Sequence, residues 1–128
     1  MPSYDRNNVF ARILRGEQPC RKVYEDEFAL AFHGIRPLAP VHVLVVPKGD
    51  YVSNADFAAS APPDLIAGFW RAVGTTAHRL GLDPDGYRLV ANHGRRSGQS
   101  VFHFHVHIFG GKAMPHDMTR LPSADARA

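Results

Sequence analysis

The chain carries a single cysteine, Cys20, so neither an internal disulfide nor a thiolate-rich metal cluster is open to it, and a reducing compartment is expected. No apolar stretch approaches the roughly 20 residues that a membrane-spanning helix needs, and the opening MPSYDRNN lacks the apolar core of a signal peptide. A cytoplasmic protein without membrane contact is therefore expected. No long block of Lys and Arg occurs, which argues against a nucleic-acid-binding arm, and no internal repeat points to a solenoid. What is present is an ordinary globular mixture of 128 residues, 45% hydrophobic and 21% charged, with a formal net charge of +3. That length suits one domain with a real core, and the mild positive charge suits small anionic partners. The expectation is a single domain over 1–128, with its core at about 8–114 and a tail over 115–128, part of a terminal segment rich in Pro, Ala, Ser and Arg.

Periodicity orders the elements. Val9, Phe10, Ile13 and Leu14 recur at helical spacing, with Asn7 or Asn8 available as a cap and Gly16 as a stop. Val23-Tyr24 and Phe28 to His33 flank the polar pair Asp26-Glu27 and read as a β-hairpin. Val41 to Val46 is a β-branched run closed by Pro47, suited to a central strand with both faces covered. After a polar loop, Pro62-Pro63 opens the main helix, with an apolar stripe of Leu65, Ile66, Phe69, Trp70, Val73, Ala77 and Leu80 that ends at Gly81. Gly86 to Asn92 and Val101 to Phe109 read as two further strands around the glycine-bearing loop His93 to Gln99. Short connections and the hairpin favour an α+β domain, an antiparallel sheet with two helices packed on it.

The chemistry concentrates in Phe102-His103-Phe104-His105-Val106-His107-Ile108. Strand side chains alternate, so the three histidines share one face and the apolar residues the other. A solvated row of surface histidines fits poorly with so apolar a strand. A metal site is limited by geometry, since residues four apart on a strand lie about 13 Å from each other, too far for His103 and His107 to share one ion at nitrogen distances of about 2 Å. Such a site would need His42 or His93 as well. The third reading makes His105 a nucleophile toward phosphorus, with its neighbours donating hydrogen bonds to phosphate oxygens. The preceding loop, Gly94 to Ser100, offers glycine-freed N–H groups, an amide and hydroxyls to a phosphate. His42, opening the apolar strand, is a fourth candidate for that pocket or a core residue with satisfied hydrogen bonds.

The run His103 to Phe109, with Gly98-Gln99-Ser100-Val101 before it and Gly110-Gly111 after it, resembles the histidine triad (HIT) superfamily in its Hint-like branch. The likeness extends over roughly Asn8 to Met114, including Ala31-Phe32-His33, Pro37-Leu38-Ala39-Pro40 and His42 to Lys48. It implies a homodimeric enzyme that hydrolyses purine nucleoside phosphoramidates or related nucleotide conjugates through a nucleotidyl-histidine, without cofactor or metal. By matching position His105 is the nucleophile, His42, His103 and His107 accompany it, and His107 assists the leaving group. Asn92, Gly98, Gln99 and Ser100 fall at the phosphate, and Val9, Phe10, Ile13, Phe32 and Ile35 at the base, although plain core packing would also explain the last five. The family often carries a ribose-gripping acidic residue directly after Ala-Phe-His, where this chain has Gly34, so weaker ribose discrimination is expected. Two other readings stand beside this one: a nucleotide-binding regulatory module with residual catalysis, and a metal-dependent histidine-site enzyme.

Overall fold

A computed structural model describes residues 1–116; most of the expected tail, 117–128, lies outside the described residues. Three α-helices, α1 (Val9–Leu14), α2 (Asn54–Ser60) and α3 (Pro63–Arg79), accompany five strands, β1 (Lys22–Glu25), β2 (Ala29–His33), β3 (Val41–Pro47), β4 (Arg88–Val90) and β5 (Val106–Gly110). The strands form one antiparallel sheet in the order β1-β2-β3-β5-β4, with β3 at its centre as its apolar run implied. Among the described residues no helix is long and apolar enough to cross a membrane.

Local chemistry accounts for the boundaries. Asn8 caps α1 by accepting the Ala11 N–H, and Gly16 follows at φ +78°, a conformation that favours glycine. In the β1–β2 turn, the Asp26 carboxylate accepts the N–H groups of Phe28 and Ala29. Helix α2 corrects the expected helix count of two to three. The Asp56 carboxylate accepts the N–H groups of Val52 and Ser53 and so satisfies donors that would otherwise be orphaned at its start. The Ser-x-x-Asp spacing at Ser53–Asp56 was its signal in the sequence.

The sheet separates two apolar clusters by strand parity. Ala29, Ala31, Val43, Val45, Val106 and Ile108 meet Phe57 of α2 and Phe69, Ala72, Val73 and Ala77 of α3. Leu30, Phe32, Leu44 and Val46 point the other way, toward Phe10 of α1. Trp70 does not belong to the buried stripe of α3; it is 43% exposed, whereas Gly68 and Thr76 are buried instead.

Two strands are shorter than their sequence patterns. The Gly86–Asn92 run is a strand only over Arg88–Val90, and the Val101–Phe109 run is a strand only from Val106. The β3–β5 ladder stops at the pair Val45 and Val106. Continuing it would bring in Pro47, which has no N–H to donate, so the chain before Val106 departs from regular pairing.

Candidate active site

Parity puts the chemistry on the α1 side of the sheet. On the facing strands β3 and β5, His42 lies opposite Phe109 and Leu44 opposite His107. Only His107 of the three clustered histidines is on β5 itself; His103 and His105 sit on the irregular segment just before it. That corrects the expectation of one strand bearing all three. The alternation survives nonetheless, because Phe104 packs into the α3 cluster while the histidines go to the other face. All four histidines are buried.

Their rings form a continuous row. His42 and His107 have centroids 5.1 Å apart, and His107 and His105 lie 5.0 Å apart. Phe109 lies nearly parallel to His107, and the Phe10 ring meets His105 edge-on at 4.9 Å. Burial first, then the neighbouring His107 and His105, pushes the His42 pKa down to about 4. Burial also takes His103 down to about 4, against a smaller opposing effect of its hydrogen bond to the Pro47 carbonyl. Both are therefore neutral at pH 7.

Neutral rings have one donor and one acceptor, so the partners define the tautomers. A carbonyl can only accept, hence His105 donates its Nδ1–H to the His103 carbonyl at 2.7 Å and carries its lone pair on Nε2. His42 accepts the Leu38 N–H at Nδ1, 3.2 Å away, and so donates from Nε2 to Nδ1 of His107 at 2.9 Å. Because Nδ1 of His107 accepts, its proton is on Nε2. An acceptor-tipped imidazole, His105, thus stands beside a donor-tipped one, His107. That pairing suits nucleophilic attack next to a hydrogen-bond donor.

A cavity of about 400 Å³ adjoins this row. Val9, Phe10, Ile13, Phe32 and Ile35 all line it, so the five residues expected at a base share one apolar enclosure; Ile35, at 79% exposure, forms its rim. Phe10 touches both the cavity and His105, and a Cβ on Gly34, another wall residue, would sit 3.3 Å from Nδ1 of His42.

The sequence model of the HIT domain matches residues 15–114. The chain belongs to the histidine triad (HIT) family. A 13.2 kDa HIT-like protein of Azospirillum brasilense is 54% identical over 112 residues, covering 88% of this chain and 92% of that protein. A HIT family hydrolase from Clostridium thermocellum aligns with a TM-score of 0.79 at 38% identity, over 88% of this chain and 96% of that one. A histidine triad nucleotide-binding protein from Candida albicans aligns at 0.71 with 27% identity, over 89% of each.

In this HIT chain the loop before the histidines is held from within. Gln99 accepts the Gly94 N–H with its side-chain oxygen and donates its amide protons to the Val52 and Val101 carbonyls. Its amide, expected at phosphate, is thus engaged on backbone and shapes the loop. Gly94 and Gly98 take φ +81° and +94°, which only glycine adopts readily. Asn92 is half-buried, and its carbonyl accepts the Ser53 hydroxyl; Gly98 is half-buried and Ser100 exposed. Among the described residues no group of three or more His, Cys, Asp or Glu is placed to hold a metal ion. Sequence reasoning missed Leu44, Cys20 and Arg21 as cavity walls and missed Tyr4, whose hydroxyl lies 2.7 Å from Nδ1 of His103. Leu44 was legible, since it shares the parity of His42 on β3; nothing in the sequence tied Tyr4 to a residue 99 positions away.

Proposed function

We propose that this HIT protein is a nucleotide-binding hydrolase of purine nucleoside phosphoramidates and related nucleotide conjugates, of the Hint-like branch, working through a covalent nucleotidyl-histidine on His105. The observation that carries the reading is the Nδ1–H of His105 on the His103 carbonyl, which directs the ring's lone pair to Nε2 beside the His107 donor. The apolar cavity next to that pair has the volume and walls for a purine. Relatives described as a HIT family hydrolase and as a histidine triad nucleotide-binding protein support the same class of activity.

In the first half-reaction Nε2 of His105 attacks the α-phosphorus and the phosphorus–nitrogen bond breaks; the Nε2–H of His107 hydrogen-bonds the leaving nitrogen, which takes its proton from water. In the second, water attacks the same phosphorus, loses a proton to the solvent and expels His105, releasing the nucleoside monophosphate. His42 holds His107 in the tautomer that keeps this hydrogen-bond donor in place, and no step calls on a metal ion. Asn92, Gly98 and Ser100 remain the candidates for phosphate contact. The reading includes a homodimer, for which β4, with its exposed Leu89 and adjoining Tyr87, offers an edge that no other strand pairs among the described residues. The lone thiol of Cys20 fits a reducing, cytoplasmic setting.

The test is intact mass spectrometry of the protein mixed with an adenosine phosphoramidate. An adduct of one adenylyl group is expected on the wild type, with turnover surviving prior dialysis against a chelator. His105→Asn should form no adduct and lose several powers of ten in turnover. An adduct that persists in His105→Asn refutes the assignment.

A further inference from the structure

The Nδ1–H of His105 is held by a backbone atom, the carbonyl oxygen of His103. That oxygen lies on a segment that the sheet does not hold, because the β3–β5 ladder begins only at Val106. One main-chain bond anchors the segment from the other side, the Phe104 N–H on the Tyr51 carbonyl at 2.8 Å. Phe104 is packed into the α3 cluster on one face, and on the other the His103 side chain, buried and bonded at both ring nitrogens, restrains the segment.

The polarity of those two bonds is determined. The Pro47 carbonyl, 3.1 Å away, accepts from Nε2 of His103, so Nδ1 of the neutral ring has no proton and must accept. The Tyr4 hydroxyl is therefore the donor at 2.7 Å, and its ring packs on that of His103 with centroids 5.6 Å apart. Tyr4 precedes α1 and does not line the apolar cavity; it belongs to a separate polar hollow with Arg15, Lys48 and Asp50. It thus bears on the nucleophile from outside the substrate enclosure.

We infer that Tyr4 is a positioning residue for His105: its hydroxyl locks the His103 ring between Tyr4 and Pro47 and thereby holds the His103 carbonyl where it receives the Nδ1–H of His105. The inference rests on His105 being the nucleophile. It assigns His103 a holding role, one step removed from the reacting atoms. Without the hydroxyl, Nδ1 of a buried ring loses its only donor, and the ring gains by turning or by moving its proton, either of which disturbs the residue whose carbonyl His105 uses.

Tyr4→Phe tests this, since it removes the hydroxyl and keeps the ring. With an adenosine phosphoramidate, kcat should fall about tenfold while KM stays unchanged, because no wall of the cavity is altered. Nitrogen-15 NMR of the imidazoles, recorded without substrate, should show the His103 Nδ1 resonance moving toward that of an unbonded ring nitrogen and the His105 Nδ1 resonance moving with it. A thermal melt guards against general loss of fold. If the His105 resonance stays in place, or if kcat is unchanged, the inference is overturned. If the wild type hydrolyses no phosphoramidate, the proposed function fails instead, and the His105 resonance alone then decides whether Tyr4 holds it.

Discussion

Acid should destabilise this fold through its buried imidazoles, in a pH window that ordinary carboxylate titration does not share. His42 and His103 titrate near 6.5 in an unfolded chain and near 4 in the folded one. Between those values the unfolded state binds more protons, so stability is complete above about pH 6.5 and declines as pH falls toward 4. Each pKa unit corresponds to about 1.4 kcal/mol, so either histidine accounts for about 3 kcal/mol, most of it lost by pH 4.5. The two share the field of His105, and together they contribute less than twice that figure. Against a typical total of about 5–15 kcal/mol, this is a large fraction. Glu25, held down to about 2 by hydrogen bonds first to Lys22 and then to Lys48, loses its contribution only below about pH 4.5 and, being solvent-exposed, matters little. Urea unfolding from pH 7 to 4.5 measures the effect. His42→Gln, which keeps an acceptor for the Leu38 N–H and a donor toward His107 but does not titrate, should shrink the loss by about half. A wild-type unfolding free energy that is flat over this range, or an equal loss in the variant, would refute the reasoning.

Ribose recognition is open to a gain-of-function test at Gly34, which is not in the left-handed region, so an aspartate there meets no backbone strain, only close approach to His42 and Leu44. By calorimetry, adenosine monophosphate and its 2′-deoxy form should bind the wild type nearly equally, whereas Gly34→Asp should favour the ribose form about tenfold; a strong wild-type preference would mean another group grips the hydroxyls. Gly68→Ala places a methyl against the Phe28 ring and should lower stability by about 1–3 kcal/mol, read as a lower melting temperature without change in the nucleotide adduct. Sedimentation should give a dimer, and a monomer at high concentration would remove that part of the proposal.

The sheet and its main helix were legible because their signals are local. The β-branched run at Val41, the Asp26 turn and the proline-opened helix each announce themselves within a few residues. The strand before Val106 was over-read because alternation of side chains does not require ladder pairing, and the missing N–H of Pro47 acts on a chain segment more than 50 residues away. Within the site, residue type identified the histidines but not their duties. Gln99 has the chemistry of a phosphate donor, yet three backbone partners occupy its amide; Tyr4 reads as an unremarkable terminal aromatic until the fold sets it against His103. Trp70 follows the helical period of α3 and is still 43% exposed, its ring meeting the buried Phe69 edge-on, because a wide apolar stripe can extend past the face a helix buries.

The two sides of the sheet are unequally guarded. A helix of 17 residues seals one, but a helix of only six lies over the histidines and the cavity. Six residues are too few to remain helical unaided, so α1 persists through its Asn8 cap and the docking of Phe10, with Val9, Ile13 and Leu14, on the sheet. The cavity is thus bounded on one side by the short helix, through Val9, Phe10 and Ile13, and on the other by the sheet, through Phe32 and Leu44, so that what α1 loses in length it must recover in contacts made across that space.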